Sequence, residues 1–388
     1  MRHLLFTSDN DIALLTCGVE FFPALIAAID AAQAEVFLET YIFDLDDTGT
    51  QVRDALQRAA RRGVAVHVVT DWLGTGRLQS VLLKQQLQSA GVFHRNFNPW
   101  FRRGVTRMHR KLCVVDRAIG FAGGININDD YFMDDSNHTR LSSPRWDFAV
   151  QIIGPLVMGM HEEMQVHWQS LGPMKWRTRW KNYQRIRSAL PLSVEGDSKA
   201  ALVVRGNLHH RRTIERAYLQ ALGQSRESVF LVTPYFAPGR RLRRALETTA
   251  RRGVAVTLLL GVGQFAMQDA VAQSFYPKLM RSGVRIFEYT QTQLHGKVAV
   301  IDDHWATVGS SNFDGLSLFV NQEANIVVEA DDFARSLREK IEEGLADSNA
   351  INLEAFRNIP WHQRLWHGAA FLMYRFALRI ITLNQDLG

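Results

Sequence analysis

The sequence predicts an α/β fold built from two copies of one half, and three observations carry that prediction. The heptapeptide Ala60-Arg-Arg-Gly-Val-Ala-Val66 returns unchanged as Ala250-Arg-Arg-Gly-Val-Ala-Val256, 190 positions later. Further stretches match in the same order. Val36-Phe-Leu-Glu-Thr-Tyr-Ile-Phe43 parallels Val229-Phe-Leu-Val-Thr-Pro-Tyr-Phe236, His109-Arg-Lys111 answers His295-Gly-Lys297, and Gly123-Gly-Ile-Asn126 answers Gly309-Ser-Ser-Asn312. Finally, apolar periodicity runs strand, helix, strand in both copies, the signature of one supersecondary unit used twice.

Taken in order, Glu35 to Phe43 is β-branched and aromatic and reads as a strand. Thr50 to Arg62 carries Val52, Leu56, Ala59 and Ala60 at helical spacing, and Gly63 ends it. Val64 to Val69 is short and almost wholly apolar, as a strand covered on both faces requires. Leu156 to Ser170 reads as a helix closed by Gly172-Pro173. The second copy repeats the pattern as Ser228 to Thr233, Arg240 to Arg252 and Val254 to Leu260. Residues 1–190 thus form one half and 200–355 the other, with a seam near 172–200, and 356–388 is a C-terminal amphipathic, membrane-surface segment.

Composition supports real cores and excludes a disordered or fibrous chain: 388 residues, 46% of them hydrophobic. The two cysteines, Cys17 and Cys113, are too few for a disulfide framework or a zinc cluster and read as small buried residues. Polar and acidic positions reached by Asn10 argue against a cleaved leader, and no apolar run reaches the roughly 18 residues of a spanning helix, so the chain reads as cytoplasmic. The net charge is +6, and the basic residues are locally concentrated.

The chemistry lies in a doubled His-x-Lys-x4-Asp motif, His109, Lys111 and Asp116 in one half and His295, Lys297 and Asp302 in the other. On an extended chain, side chains at i and i+2 point the same way, about 6.6 Å apart, so each His and Lys can reach one anion. Two lysines neutralising phosphate oxygens, one imidazole attacking phosphorus and another protonating the departing alkoxide make a complete set for phosphoryl transfer. Asp116 and Asp302 fall an odd number of positions from their lysines and are expected to face away, in structural or long-range electrostatic roles.

The doubled motif, followed by Gly-Gly-x-Asn and Gly-Ser-x-Asn, resembles the phospholipase D superfamily. Leu294-His-Gly-Lys-Val-Ala-Val-Ile-Asp302 and the residues through Asp314 are similar to the bacterial cardiolipin synthases of the short type without N-terminal transmembrane helices. The resemblance spans about residues 10 to 380. It implies a duplicated phospholipase D-like fold, two mixed sheets flanked by helices, with the active site at the pseudo-twofold interface. It implies that all six motif residues are catalytic, with His109 as nucleophile and His295 as acid, and no cofactor or metal. It also implies a carboxylate orienting each histidine. Asp147 and Glu323 occupy the matching positions, with Asp134 and Asp135 as neighbouring alternatives to Asp147. Asn126 and Asn312 are expected to bind phosphate oxygens or brace their turns, and Tyr41 and Tyr235 to touch substrate or pack.

Three stretches speak to an anionic phospholipid membrane as partner. Trp100, Phe101, Arg102 and Arg103 precede the first motif and read as a lipid entrance or a plain basic loop. Met174 to Arg187 holds six cations, no acid, and Trp176 and Trp180 at i,i+4, a pattern that suits a membrane surface or a nucleic acid. Pro360 to Leu383 is apolar apart from polar positions that include Arg364, Arg375 and Arg379, which fall within about 60° on a helix. It reads as an interfacial helix, with docking on the core as the alternative. The resemblance favours phosphatidylglycerol as donor and acceptor, at the cytoplasmic face of the bacterial inner membrane, over nucleic acid. A phosphodiesterase acting on phospholipid or nucleic acid, and a scaffold without turnover, are the competing readings. His209-His210 carries no metal site on this reading.

Overall fold

The structure, a computed structural model, describes residues 4–133, 139–172, 196–206 and 212–383. Trp176, Trp180, Asp134, Asp135, His209 and His210 lie outside the described residues. The first half runs β1 (Thr7–Thr16), α1 (Cys17–Ala31), β2 (Glu35–Thr40), α2 (Asp47–Arg61), β3 (Ala65–Asp71), α3 (Arg77–Ser89), β4 (Phe93–Phe97), β5 (Leu112–Val115), β6 (Ile119–Gly123), β7 (Phe148–Ile153) and α4 (Pro155–Ser170). The second begins β8 (Ser198–Arg205), α5 (Thr213–Gln224), β9 (Ser228–Thr233), β10 (Phe236–Ala237), α6 (Arg240–Arg251) and β11 (Ala255–Gly261). It continues α7 (Ala266–Gln273), α8 (Tyr276–Met280), β12 (Arg285–Tyr289), β13 (Val298–Ile301), β14 (Trp305–Gly309), β15 (Phe313–Asp314), α9 (Gly315–Phe319) and β16 (Glu323–Glu329). After α10 (Asp331–Ala346), β17 (Ser348–Ala350) and α11 (Leu353–Arg357), the described chain closes with α12 (Trp361–Leu383).

The repeated heptapeptide is one structural device. It carries the last turn of α2 or α6, a glycine at φ 95° or 93°, and the start of the next buried strand. A glycine ends a helix there because a Cβ is disfavoured in the left-handed region. At the other end of α2 the Asp46 carboxylate accepts from Gly49 N at 2.8 Å, and Val52, Ala55, Leu56 and Ala59 bury one helical stripe. The strand expected over Glu35–Phe43 stops at Thr40. The Thr40 hydroxyl donates to the Ile42 carbonyl at 2.8 Å, and Thr233 does the same to Tyr235 at 3.0 Å. Both tyrosines therefore leave the ladder.

Each half builds a mixed sheet. β2, β3 and β4 pair in parallel while β5, β6 and β7 are antiparallel, and β9, β11, β12 and β13, β14, β16 repeat that division. Pairing of β1 with β8 joins them into a continuous order of 15 strands, which the expectation of two sheets did not include. Outward from that pair, one side reads β7, β6, β5, β2, β3, β4 and the other β16, β14, β13, β9, β11, β12. Each strand thus meets its counterpart at the same step.

One core belongs to neither half alone. Val114, Phe148 and Val150 pack in the same cluster as Val298, Val308 and Ile326, with Met160 of α4 and Leu337 of α10. Interior packing at native density transmits displacement, so the two sheets hold each other in register. No helix of the described residues is long and apolar enough to cross a membrane.

α12 packs on the second half along one face. Ala370 is fully buried, Phe371 meets Phe275 edge-on at 5.3 Å, and the Tyr374 hydroxyl accepts from Gly315 N at 2.8 Å. The opposite face leaves Trp361, Leu365, Leu372, Phe376 and Ile380 exposed. Arg364, Arg375 and Arg379 are also exposed.

Candidate active site

Both motifs begin three residues before their strands, and each is pinned there by the other half. Met108 bridges Gln322 in parallel, and His109 N donates to the Gln322 carbonyl at 2.8 Å. Leu294 bridges Trp146, whose carbonyl accepts from His295 N and Gly296 N, both at 2.9 Å. Gln322 and Trp146 stand immediately before Glu323 and Asp147. The bridges therefore deliver each carboxylate to the histidine of the opposite half. His109 Nδ1 lies 3.0 Å from Glu323 Oε2, and His295 Nδ1 lies 2.5 Å from Asp147 Oδ2.

A carboxylate at Nδ1 fixes the proton there and turns Nε2 outward as the reactive nitrogen. Asp147 keeps its other oxygen on Phe148 N at 2.8 Å, while Ser310 Oγ donates to Glu323 Oε2 at 2.5 Å. Lys111 Nζ donates to the His109 carbonyl at 2.8 Å, and Lys297 Nζ donates to that of His295. Burial pushes the His109 imidazole below its ordinary value; Glu323 opposes this and the charges of Lys111 and Lys297 reinforce it. Burial raises the Asp147 carboxyl, against the pull of Lys297 and Lys111. The ammonium groups of both halves thus act on the pairs of both halves.

Asp116 and Asp302, grouped with the catalytic residues by the resemblance and set apart by their spacing, make their hydrogen bonds away from this cluster. Each sits in the turn beyond its strand at φ 50° and 52°. Asp116 accepts from the backbone of Gln33, Ala34 and Glu35 at 2.7–2.8 Å, and Asp302 from Arg226, Glu227 and Ser228 at 2.7–2.9 Å. They lace the β-hairpin to the start of β2 or β9. The odd spacing from the lysines pointed to this structural role.

The remaining expected residues divide. The Tyr41 ring meets the His109 ring edge-on at 4.9 Å and lies 5.3 Å from Lys111 Nζ. Tyr235 instead donates its hydroxyl to Gln264 at 2.6 Å beside Phe265. Asn126 accepts from Ile42 N at 3.4 Å and braces the turn that carries Tyr41. Asn312 is buried, and its carboxamide oxygen has no hydrogen-bond partner among the described residues.

Trp100 and Phe101 project from a loop in which Asn98, Trp100 and Phe101 all hold left-handed φ values of 49–57°. Such backbone costs about 1–3 kcal/mol per residue and persists only where the surroundings impose it. The Asn98 side chain imposes it, bonding Gly104 O, Thr106 O and Arg103 N at 2.6–2.9 Å. Trp100 is 68% exposed and Arg102 is exposed. Arg103 is exposed as well, and its guanidinium donates to the Ser170 carbonyl at 3.0 Å and lies over the Phe97 ring.

Sequence reasoning missed two features. Ser310 was seen only as part of a glycine-rich echo. Behind the first motif, Arg110 is buried against Glu163 at 2.9 Å and Glu39 at 3.7 Å, and His167 Nδ1 meets Glu39 at 2.7 Å. Burial would raise the Glu39 carboxyl, but His167 and Arg110 outweigh it and hold it below the ordinary range. The signal was the period of two: between an outward His109 and Lys111, residue 110 must face inward. Gly296, its counterpart, lies against Phe148.

A two-fold set of His, Lys and carboxylate on a duplicated mixed sheet defines a phospholipase D-type enzyme. The profile described as "Cardiolipin synthase, PLD-like domain" matches residues 25–142 and 218–345, and the chain belongs to that family. It is 38% identical over 340 residues to cardiolipin synthase B of Salmonella typhimurium (strain LT2), covering 86% of this chain and 80% of that protein. Cardiolipin synthase B of Escherichia coli (strain K12) is 38% identical over 86% of this chain and 79% of its own length. Cardiolipin synthase 1 of Bacillus cereus is 29% identical over 91% and 70%. In fold, the chain is similar to the crystal structure of phosphatidylserine synthase from Haemophilus influenzae Rd KW20, with TM-score 0.70, 15% identity and 98% and 97% of the two chains covered.

Two outcomes follow for this cluster. Asp302→Ala loses the acceptor of three backbone N–H groups, at a cost of about 1–3 kcal/mol. Calorimetry should show a Tm lower by a few degrees, while turnover per folded molecule stays within about threefold. Loss of turnover with an unchanged Tm would put Asp302 back in the chemistry. Second, a nucleophilic His109 must be neutral, and its proton affinity is depressed. The rising limb of kcat/KM against pH should therefore lie below 6.5, the ordinary imidazole value, and a limb above it would contradict the burial argument.

Proposed function

We propose that the protein transfers a phosphatidyl group between anionic phospholipids, converting two molecules of phosphatidylglycerol into cardiolipin and glycerol. The observation that carries this reading is the reciprocal pairing of His109 with Glu323 and His295 with Asp147, beside lysines from both halves. The names of the curated relatives support the substrate class. On this reading residues 1–190 and 200–355 are two halves related by a pseudo-twofold, and the active site lies on the interface between them.

His109 Nε2 attacks phosphorus, and the bond to the glycerol oxygen breaks as His295 Nε2 gives that oxygen its proton. The phosphatidyl group then rests on His109, and His295 is neutral. His295 next takes the proton of a hydroxyl on a second phosphatidylglycerol. That oxygen bonds to phosphorus as the phosphorus–nitrogen bond breaks, which returns His109 to its starting state. Lys111 and Lys297 offset the charge on the non-bridging oxygens throughout, which a fixed ammonium does without reorganisation. No cofactor is needed for these steps.

The membrane reading rests on exposed apolar surface bordered by cations. Trp100 and Phe101 stand beside Arg102, with Arg107 over the Phe101 ring at 4.8 Å. The outer face of α12 adds Leu365, Leu372 and Phe376 beside its three arginines. Aromatics seat in an interface while cations meet anionic headgroups. We assign the protein to the cytoplasmic face of the inner membrane as a peripheral enzyme, with 356–388 as its lipid-facing segment.

Purified protein incubated with radiolabelled phosphatidylglycerol vesicles should yield cardiolipin and free glycerol. His109→Ala and His295→Ala should each lower the rate at least about a thousandfold. Phosphatidic acid as the sole product would make water the acceptor, and cleavage of oligonucleotides alone would remove the lipid reading. For the surface, Leu372→Asp with Phe376→Asp should weaken sedimentation with anionic vesicles at least tenfold, since each buried side chain is worth about 1.5–3 kcal/mol. Unchanged sedimentation would place the lipid contact elsewhere.

A further inference from the structure

The two histidine–carboxylate pairs are not copies of each other. Glu323 Oε2 takes two donors, His109 Nδ1 at 3.0 Å and Ser310 Oγ at 2.5 Å, while Oε1 of the same fully buried carboxylate has no partner among the described residues. Asp147 divides the load, with Oδ2 for His295 at 2.5 Å and Oδ1 for Phe148 N at 2.8 Å. The Ser310 hydroxyl is itself oriented, because it accepts from Ala324 N at 3.1 Å and so must point its proton at Glu323. His109 Nδ1 also lies 3.1 Å from the Ser310 carbonyl, a second acceptor that keeps its proton on that nitrogen.

The position matching Ser310 is Gly124. There a Cβ would come within 2.2 Å of Asp147 Oδ1, so no hydroxyl can be built beside the first-half carboxylate. The shorter Asp147 approaches a bare backbone, whereas the longer Glu323 leaves room for a serine. This difference has a chemical consequence. A carboxylate oxygen that already accepts a strong hydrogen bond holds an imidazolium less tightly. An unshared oxygen at 2.5 Å holds one more tightly.

We infer that Ser310 is a positioning residue that makes the two histidines inequivalent: its bond to the Glu323 oxygen holding His109 keeps that ring neutral and ready to attack, while Gly124 leaves Asp147 free to steady a protonated His295. This rests on the phosphotransfer reading above and deepens it. The duplicated motif supplies identical groups, and the choice of nucleophile comes from one hydroxyl outside both motifs. Ser310 touches no reacting atom. It acts through Glu323 on the proton affinity of His109.

The test is the pH dependence of kcat/KM on phosphatidylglycerol vesicles for the full chain, Ser310→Ala and Ser310→Thr. With the hydroxyl gone, Glu323 should hold the protonated His109 more strongly, so the rising limb moves up by about one pH unit. That is about a tenfold loss of rate below the limb, with recovery above it. Ser310→Thr keeps the donor and should restore the parental limb. A uniform loss at every pH, or an Ala profile that superimposes on the parent, overturns the inference. A second measurement needs no variant: acid-free quenching and peptide mapping of the covalent intermediate should place the phosphoryl group on His109. Finding it on His295 overturns the inference whatever the variants do. A parent protein without turnover or intermediate would instead bring down the phosphotransfer reading itself.

Discussion

Everything at the centre of this molecule depends on two carboxylates crossing from one half to the other. Glu323 reaches back to His109 and Asp147 reaches forward to His295, each at hydrogen-bond distance and with little exposure. Neither half contains a complete set of groups. A buried carboxylate is costly unless it is paired, and a buried imidazole without an acceptor has no fixed tautomer. The crossing meets both requirements together. The parallel bridges Met108–Gln322 and Trp146–Leu294 set its geometry, because they put each carboxylate one residue past a fixed backbone contact. The core shared by the two sheets then keeps those bridges in register.

Duplication gives such a site symmetric material, and the structure shows where the halves have diverged around it. The first motif carries Arg110, sunk into a network with Glu39, Glu163 and His167 on the far side of the strand. The second carries Gly296 against Phe148. A buried ion network tolerates little displacement, since breaking one member leaves an uncompensated charge. The first histidine therefore hangs from an electrostatic anchor and the second from apolar packing. Gly124 and Ser310 add a further difference at the carboxylates. Similar motifs thus sit in unlike surroundings, and on the proposed mechanism that difference would separate the nucleophile from the proton carrier.

Much of this was legible before any coordinates. The repeated heptapeptide marked helix end, turn and buried strand in both halves, because those roles need apolar period, a positive-φ glycine and β-branched residues, all written in single letters. The His-Lys period of two put both side chains on one face, and the odd offset of Asp116 and Asp302 set them away from it. What sequence could not supply was anything decided by contact between distant segments. Strand β2 was drawn too long because its end is fixed by the Thr40 hydroxyl. The joining of two sheets into one order depends on β1 meeting β8 across nearly 190 residues. The contact of the Arg103 guanidinium with the Ser170 carbonyl likewise joins segments 67 positions apart. Ser310 stood in the sequence only as part of a glycine-rich echo, because its hydrogen-bond partner Glu323 lies 13 positions on.

The C-terminal helix shows how surface and centre are joined. Its exposed stripe is the face assigned to lipid, and its buried side fastens to one short stretch of chain. The Tyr374 hydroxyl accepts from Gly315 N, and a Cβ on that glycine would meet Leu378 at 2.5 Å, so helix and backbone touch directly. Asp314, one residue earlier, caps α9 through Ser317 N at 2.8 Å. Burial pushes its carboxyl up to about 6, and the charge of Glu323 adds to that push. Between Ser310 and Gly315 the chain therefore supplies the hydroxyl on Glu323, the buried amide of Asn312, the cap of α9 and the seat of α12. Six consecutive residues cannot shift at one end and stay fixed at the other inside close packing. On the proposed membrane reading, a helix pressed against a bilayer through its outer face would carry this segment, and with it the Ser310 contact to Glu323, into a fixed orientation relative to the lipid plane.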